Sequence, residues 1–422
     1  MLDILFIKKN LSETINSLKK KNFDSKKIIE KLLSIDTDRI NTQKKSNAIQ
    51  ENININSKKI GELYQSKKIK EAAKLKLTGT KLKEALKIIL EKEKKIKKDL
   101  YSLLITIPNI PHPDVPKGNS EKNNIIEKTT ILKELDDSDY LAHWDLAKKY
   151  DLIDFEKGTT ITGAGFPLYK NKGAILQRAL INFFLECNTK AGYIEYIPPL
   201  LVNEKSAFGT GNLPDKEGQM YHIEKDNLYL IPTAEIPLTN IYRNEILNAS
   251  DLPIKLTAHT PCFRREAGSY GKNVRGLNRL HLFEKVEIVQ ITHPKKSYSQ
   301  IKEMIEHVEK LLTKLELPFR LVKLCGGDLS FSSALTYDFE VFSIAQKKWL
   351  EVSSISNFET FQSRRTMIRF KENNETDFCH TLNGSSLALP RILAAILENN
   401  QSKSGIKLPK ALIKYTGFET IA

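Results

Sequence analysis

The first proline of the chain is Pro108, and before it glycine occurs only at Gly61 and Gly79. A stretch this long without backbone breakers, rich in Lys, Glu, Leu and Ile, predicts long helix. Its apolar period is seven. Leu75, Leu82, Ile89, Ile96 and Leu103 recur at that step, with Leu86 and Leu100 at the offset position. Upstream, Ile28, Ile35, Thr42, Ile49, Asn56 and Leu63 keep the same step, joined by Leu32, Ile53 and Ile60. Two heptad segments separated by the polar stretch 65–70 predict an antiparallel two-helix coiled coil over about residues 25–104. Thr42, Ser46 and Asn56 fall on the first seam, where polar groups weaken the pairing locally. A helix of about 35–40 residues extends ~50–60 Å. Residues 1–21 read as a separate short helix at the base.

The charge is concentrated in this region. Residues 1–110 carry 26 Lys+Arg against 13 Asp+Glu, a net of +13, while the other 312 residues carry 40 against 38, a net of +2. A polyanion is the natural partner of such an arm, bound through Lys and Arg contacts to phosphate. The plain alternative is a solvated lysine-rich face. Four cysteines (Cys187, Cys262, Cys325, Cys379) lie far apart with no C-x-x-C pair. Zinc is therefore not expected, and the spacing suits a reducing cytosol rather than a disulfide framework. No apolar run reaches the ~18–20 residues of a membrane span, so no membrane partner is expected. The N-terminus lacks a basic segment before its apolar residues and does not read as a signal peptide.

Prolines at 108, 111, 113 and 116 end the helical region. The chain divides into an N-terminal domain, 1–107, a Pro-rich linker, 108–130, and a second domain, 131–422. In the last, strand-like runs near 229–231, 286–289 and 349–352 alternate with helical patterns at 172–190 and 296–316. Strands with local returns predict an α+β domain, an antiparallel sheet flanked by helices.

There is no glycine-rich phosphate loop and no Rossmann glycine fingerprint. If the chain uses a nucleotide, side chains must hold its phosphates. The strongest candidate is His259-Thr260-Pro261-Cys262-Phe263-Arg264-Arg265-Glu266-Ala267-Gly268-Ser269, followed by Arg275-Gly276-Leu277 and by Arg279-Leu280-His281-Leu282-Phe283-Glu284-Lys285-Val286-Glu287. On an extended strand Arg264 and Glu266 share one face, with Phe263 and Arg265 on the other. Residues 267–278 read as a loop, and the second strand returns through Phe283 and Glu287. The result is a hairpin that aims an arginine, a carboxylate and an aromatic ring at one ligand. Charge pairing across a surface hairpin is the plain alternative.

This segment resembles motif 2 of class II aminoacyl-tRNA synthetases, and of the seryl enzymes in particular, which carry T-P-C-F-R-x-E-A-G and a closing F-x-K-V-E. Three further segments agree in order. Pro232-Thr233-Ala234-Glu235-Ile236 resembles the seryl T-x-E loop. Glu351-Val352-Ser353-Ser354-Ile355-Ser356-Asn357 resembles the E-[IV]-S-S-x-S-N strand. Thr381-Leu382-Asn383-Gly384-Ser385 through Arg391 resembles motif 3. Ile197-Pro198-Pro199 fits motif 1, which forms the homodimer interface in the family. The H-I-G-H and K-M-S-K-S signatures of class I enzymes are absent. The similarity covers the whole chain.

The resemblance implies a cytoplasmic enzyme that activates L-serine with ATP and Mg²⁺ and transfers it to tRNA(Ser), with tRNA(Sec) open as a second substrate. Arg264 would hold the α-phosphate, for which a planar guanidinium fork is suited. Glu266 would meet the adenine, with Phe283 stacking on it and Leu280 beside it. Glu351 and Ser354 would hold Mg²⁺, whose preference for oxygen ligands fits a carboxylate and a hydroxyl. Arg391 would take the γ-phosphate. Arg265, Val352 and Ser353 join the ATP-binding set, and Arg264, Glu351 and Arg391 carry catalysis. Thr233, Ala234, Glu235, Glu287, Asn383 and Ser385 would surround serine, with the assignment of each carboxylate to the ammonium or the hydroxyl left open. The arm would hold the tRNA by backbone shape.

Some positions depart from the family pattern. Motif 3 often runs G-S-G-x-x-x-G-R, whereas here Pro390 precedes Arg391, a residue tolerated only near a helix start or kink. Gly165-Phe166-Pro167-Leu168-Tyr169 replaces an R-F-Y-like stretch, and Arg265 stands where bacterial relatives often have Ser. His259, His281 and His380 read as packed or hydrogen-bonded rather than catalytic, and Lys323 and Arg365 as surface pairs. Two rival functions share these motifs: a ligase loading an amino acid onto a carrier protein, and an inactive tRNA-binding paralogue. The arm argues against the first, and Arg264, Glu266, Glu287, Glu351 and Arg391 against the second.

Overall fold

The computed structural model describes residues 1–131, 139–215, 218–266 and 275–422. Its contacts divide into two compact units: Met1–Lys19 with Phe23–Pro108, and Lys20–Asn22 with Asn109–Ala422.

In the first unit the N-terminal segment forms two short helices where the sequence reading has one. These are α1 (Ile4–Lys9) and α2 (Leu11–Lys19), separated at Asn10, whose backbone leaves helical geometry. Two long helices follow, α3 (Lys26–Gln65) and α4 (Ile69–Leu104), joined by a turn in which Lys67 takes φ +58°. Along α4 the inward positions are 72, 75, 79, 82, 86, 89, 93, 96 and 100, the spacing of a heptad seam. Along α3 residues 32, 42, 46, 53 and 56 are buried, but at the base Ile29 and Asp36 are buried while Ile28 and Ile35 are half-buried. The buried Asp36 ion-pairs there with Lys8 of α1 and meets Arg39 at 2.7 Å. Burial raises the Asp36 carboxyl, but these two cations outweigh it and leave it below its ordinary value.

The polar seam positions pair across the hairpin. The Ser46 hydroxyl, which donates to the Gln43 carbonyl at 2.9 Å, also lies 3.3 Å from Glu93, and Glu93 ion-pairs with Lys97 at 2.6 Å. The Asn56 amide donates to the Leu75 carbonyl at 3.0 Å. Gly79 leaves the space for that amide, since a Cβ there would stand 3.0 Å from Asn56 Nδ2. Each bond forms in one alignment of the helices only, so these groups fix register where apolar groups would not.

The second unit is built on an eight-stranded sheet. Numbering its strands alone in chain order, they are β1 (Ile125–Thr130), β2 (Ile194–Glu195), β3 (Ile254–Phe263), β4 (Leu282–Thr292), β5 (Phe319–Lys323), β6 (Leu335–Ser343), β7 (Lys348–Glu359) and β8 (His380–Ala388). Their spatial order is β1-β5-β6-β7-β8-β4-β3-β2, antiparallel except for the β2–β3 pair. Together with the helical hairpin this is an α+β chain. Residues 108–130, read as a linker, contribute β1 at their end, and Asn109 is tied down by donating to the carbonyls of Ser332 (2.9 Å) and Phe358 (2.8 Å).

Helices of this unit include α5 (His143–Lys149), α6 (Asn171–Lys190), α7 (Glu235–Asn240), α8 (Ser297–Lys314), α9 (Phe361–Thr366) and α10 (Leu389–Asn399). Side chains alternate along a strand, so one face of β4 presents Val286 and Ile288, and the same face presents Phe339 and Val341 from β6 and Ile355 from β7. Those residues pack with Leu176, Phe184, Met304, Val308, Ile392 and Ile396 of α6, α8 and α10 into the main core. Gly384 of β8 lies on this face, where a Cβ would come within 3.1 Å of Ile355 and 3.3 Å of Met304. The opposite face carries the polar residues of the candidate site.

Candidate active site

Two β-bulges shape the polar face. Asp338 of β6 pairs with Ser354 of β7, but Glu340, two residues on, pairs with Glu351, three residues back, so β7 holds one extra residue at this point. Residues paired in an antiparallel ladder share a face. Glu351 and Ser354 therefore face the same side despite their odd spacing. The second bulge lies in β8, where Ser385 and Ala388 oppose Glu287 and Lys285 of β4. Both bulges turn their residues toward one open cavity of about 950 Å³.

The cavity is lined by Thr233, Glu235, Arg264, Glu266, Leu280, Phe283, Glu351, Val352, Ser353, Ser354, Asn383, Ser385 and Arg391. Three residues of the sequence-derived set do not line it. Ala234 is buried among Leu238, Leu256 and Val289. Arg265 turns away, its guanidinium 5.8 Å from the Tyr221 ring. Glu287 is buried behind the lining residues.

One end of the cavity is a carboxylate and hydroxyl network. The Thr233 hydroxyl donates to Glu287 at 2.6 Å and accepts from the Glu235 backbone N–H at 3.1 Å. The Asn383 amide donates to Glu235 at 2.8 Å and lies 3.5 Å from Glu287, and Ser385 Oγ lies 3.4 Å from Glu287. Lys285 ion-pairs with Glu287. The other oxygen of Glu235 accepts from Gln362 of α9 at 2.6 Å, and Thr381 in turn donates to Gln362 at 2.6 Å. Burial, with Glu287 nearby, pushes the Glu235 carboxyl up to about 7, against the opposing pull of Gln362, Lys285 and Arg264. Lys285 and Gln362 escape sequence reasoning. A lysine in a K-V-E strand end looks like ordinary alternation, and Gln362 lies 127 residues from its partner.

The other end gathers cations and an aromatic face. The Arg264 guanidinium lies 5.2 Å from the Phe283 ring, and its Nε is 3.4 Å from the Pro232 carbonyl. The strand reading through Glu266 is corrected: β3 ends at Phe263, and Glu266 takes φ +47°, a turn that lets it ion-pair with Arg279. Arg264 and Glu266 still reach the same cavity. Residues 267–274 of the expected loop lie outside the described residues. Pro390 falls in the first turn of α10, where its missing N–H costs no hydrogen bond. Arg391 then donates from Nε to the Asn278 carbonyl (3.1 Å) and from a terminal nitrogen to the Glu351 carbonyl (2.6 Å).

Asp338 pairs with Ser354 across the ladder and lines the same cavity as Glu351 and Ser354. Its Oδ1 is buried with no hydrogen-bond partner. Burial and the neighbouring Glu351 hold its carboxyl well above the ordinary range, although the Ser354 hydroxyl bonds to it. Among the described residues no cluster of three or more His, Cys, Asp or Glu side chains could hold a metal by itself.

The three histidines all have structural partners. His259 meets Glu284 at 2.6 Å, His380 meets Ser297 at 2.8 Å, and His281 stacks on Phe166 at 5.3 Å while bonding the Arg264 carbonyl at 3.0 Å. Lys323 pairs with Glu127 at 2.5 Å. Arg365 is not a surface pair: it is held over the Phe208 and Phe361 rings and donates to the carbonyls of Phe208 and Leu213, both at 3.1 Å.

An antiparallel sheet with such a cavity on one face is the catalytic platform of a class II aminoacyl-tRNA synthetase, and residues 220–400 match the tRNA synthetase class II core domain (G, H, P, S and T). Residues 1–111 match the seryl-tRNA synthetase N-terminal domain. A serine--tRNA ligase of Salinibacter ruber is 46% identical over 425 residues, covering 100% of this chain and 99% of the relative. The crystal structure of seryl-tRNA synthetase from Pyrococcus horikoshii complexed with ATP is similar at TM-score 0.94 and 33% identity, covering 100% of this chain and 99% of that one. The cytoplasmic serine-tRNA ligase from Naegleria fowleri in complex with AMP follows at TM-score 0.89 and 28% identity, covering 100% and 98%. The chain belongs to the seryl-tRNA synthetase family.

Proposed function

We propose that the chain activates L-serine with ATP to seryl-adenylate and transfers the seryl group to the 3′ end of tRNA(Ser). The observation that carries this reading is the joining of two unlike ends in one cavity. A carboxylate and hydroxyl network that suits a small amino acid lies beside an Arg264, Phe283 and Arg391 set that suits a nucleotide.

Glu287 already has Lys285 as its counter-charge, whereas Glu235 lines the cavity. Glu235 therefore takes the serine ammonium, and the serine hydroxyl meets Asn383 and Ser385 with Glu287 behind them. A pocket built to bond a hydroxyl rejects alanine because its own polar groups would be stranded, by up to ~10⁴-fold in favourable cases. Arg264 holds the α-phosphate, Glu266 and Leu280 border the adenine with Phe283 under it, and Arg391 takes the γ-phosphate. The serine carboxylate oxygen attacks the α-phosphorus as the bond to the pyrophosphate oxygen breaks. A terminal ribose hydroxyl of the tRNA then attacks the activated carbonyl and AMP leaves. Positioning and charge complementarity account for the rate, and no side chain has to exchange a proton in the first step.

The donor set also fits Mg²⁺. Glu351, Ser354 and Asp338, whose Oδ1 has no hydrogen-bond partner, share one face, and phosphate oxygens would complete the shell. Bound there, the ion would neutralise phosphate charge. The chain works in the cytoplasm, in keeping with its four free cysteines, and among the described residues no helix is long and apolar enough to cross a membrane. It acts as a homodimer through the region after α6, where Ile194 and Ile197 are 55% and 93% exposed in the single chain.

The test is amino-acid-dependent ATP–pyrophosphate exchange across all amino acids, followed by charging of total tRNA. Exchange with serine alone and charging of tRNA(Ser) are expected. Exchange with another amino acid, or none, would overturn the reading.

A further inference from the structure

A buried histidine and glutamate lie outside the reaction described above. His143 opens α5, Glu398 lies near the end of α10, and both side chains are fully buried. The His143 Nδ1 meets Glu398 at 2.7 Å, and its backbone N–H donates to the same carboxylate oxygen at 3.0 Å. Ser343 donates to the other oxygen of Glu398, and Gln346 donates to the first at 3.2 Å. The backbone N–H of His143 and the Gln346 amide can only donate, so the Glu398 oxygen that faces Nδ1 is an acceptor. Nδ1 must therefore carry the imidazole proton. The far side of the ring agrees: Nε2 accepts the backbone N–H of Leu277 at 2.8 Å. Both faces of the ring select one tautomer.

What the ring holds is the segment returning from the motif 2 loop to β4. Gly276, just before Leu277, has φ +66°, and a Cβ there would stand 2.3 Å from His143 Nε2, so only glycine lets the backbone approach the imidazole. Arg275 lies over the Trp144 ring at 4.6 Å. Asn278, which follows Leu277, donates its amide to Gln346 at 2.9 Å, and its carbonyl receives Arg391 Nε at 3.1 Å. Leu277, Asn278, Arg279 and Leu280 all line the cavity.

We propose that His143, oriented by Glu398, is a positioning residue that fixes residues 277–280 and through them Arg391, so that its loss weakens ATP binding and spares serine binding. The inference rests on the reading that ATP lies beside Arg391.

Amide isosteres separate the two sides of the ring. Asparagine places a donor near the Nδ1 position and keeps Glu398 satisfied but cannot reach Leu277. Glutamine places an acceptor near the Nε2 position and can. In serine-dependent exchange with the full chain, His143→Asn should raise KM for ATP by about tenfold, the effect of stranding one buried N–H at the site. His143→Gln should stay within about threefold of the wild type. KM for serine should hold within about twofold in both. Equal effects of the two variants on ATP, or parallel rises in KM for serine, would mean a merely structural ring and overturn the proposal. The wild type gives a check that needs no variant. Nitrogen NMR of histidine-labelled protein should report His143 Nδ1 as protonated and Nε2 as bare near neutral pH. A protonated Nε2 would overturn the proposal whatever the variants do. Absence of serine-dependent exchange in the wild type would instead remove the reading on which it rests.

Discussion

At the scale of single residues, Glu235 makes the most direct prediction. Its carboxyl titrates at about 7, raised first by burial and then by Glu287, with Lys285, Arg264 and the Gln362 amide pulling the other way. Its charge is present above that pH and lost below it. A cationic ammonium needs the charge, so KM for serine should climb as pH falls, approaching about tenfold per unit well below the midpoint. The substitution Glu235→Gln should give a high KM that no longer follows pH between 5.5 and 8, read from exchange kinetics. An unchanged pH profile in that variant would assign the titration to another group. Gln362 supplies a second test of the same site. Its amide bond favours the ionised carboxyl. Replacing it by methionine, which fills the space without donating, should move the midpoint up by about half a unit to one unit. A downward move would mean that Gln362 packs there without setting the charge.

At the scale of elements, legibility followed how local the determinants are. The heptads from Leu75 to Leu103 are written in consecutive turns of one helix, so α4 and its inward face follow from spacing alone. The shift of the α3 seam to Ile29 and Asp36 does not, because the partner of the buried Asp36, Lys8, belongs to another helix. Motif residues such as Arg264 and Arg391 stood out through a family resemblance. The bulges that turn Glu351 beside Ser354 and Ser385 beside Ala388 are relations between strands and leave no mark in one strand's sequence. His143, 255 residues from Glu398, is invisible for the same reason. Two element-scale outcomes follow. Pro390→Ala should leave exchange within about twofold, since a first-turn proline gives up no hydrogen bond. A large loss would mean that the ring, not the turn, aims Arg391. Replacing the buried Ser46–Glu93 pair by Ala and Leu should slow amide hydrogen exchange in α3 and α4 by an amount equivalent to about 1 kcal/mol, because a buried polar pair fixes alignment at some cost in stability. Faster exchange would mean that the pair is a net source of stability.

At the scale of the molecule, charge and chemistry fall in different parts of the chain. Nearly all the net charge, +13 of +15, belongs to residues 1–110, while every proposed contact to serine and ATP comes from residues 233–391. The lysines of the hairpin are solvent-facing: Lys44, Lys45, Lys58, Lys59, Lys74 and Lys76 are all exposed. Exposed cations spaced along a long helical pair add little to stability, since isolated surface pairs contribute about 0–1 kcal/mol. On a bound polyanion such cations would displace counterions. Changing these six to glutamine should therefore raise KM for tRNA in the charging reaction by at least about tenfold and flatten its salt dependence. Serine-dependent pyrophosphate exchange should remain near the wild-type rate, because no altered residue belongs to the sheet or the cavity. If exchange fell in parallel with charging, the arm's charge would be serving the catalytic fold itself, and the separation of tRNA binding from serine activation would fail.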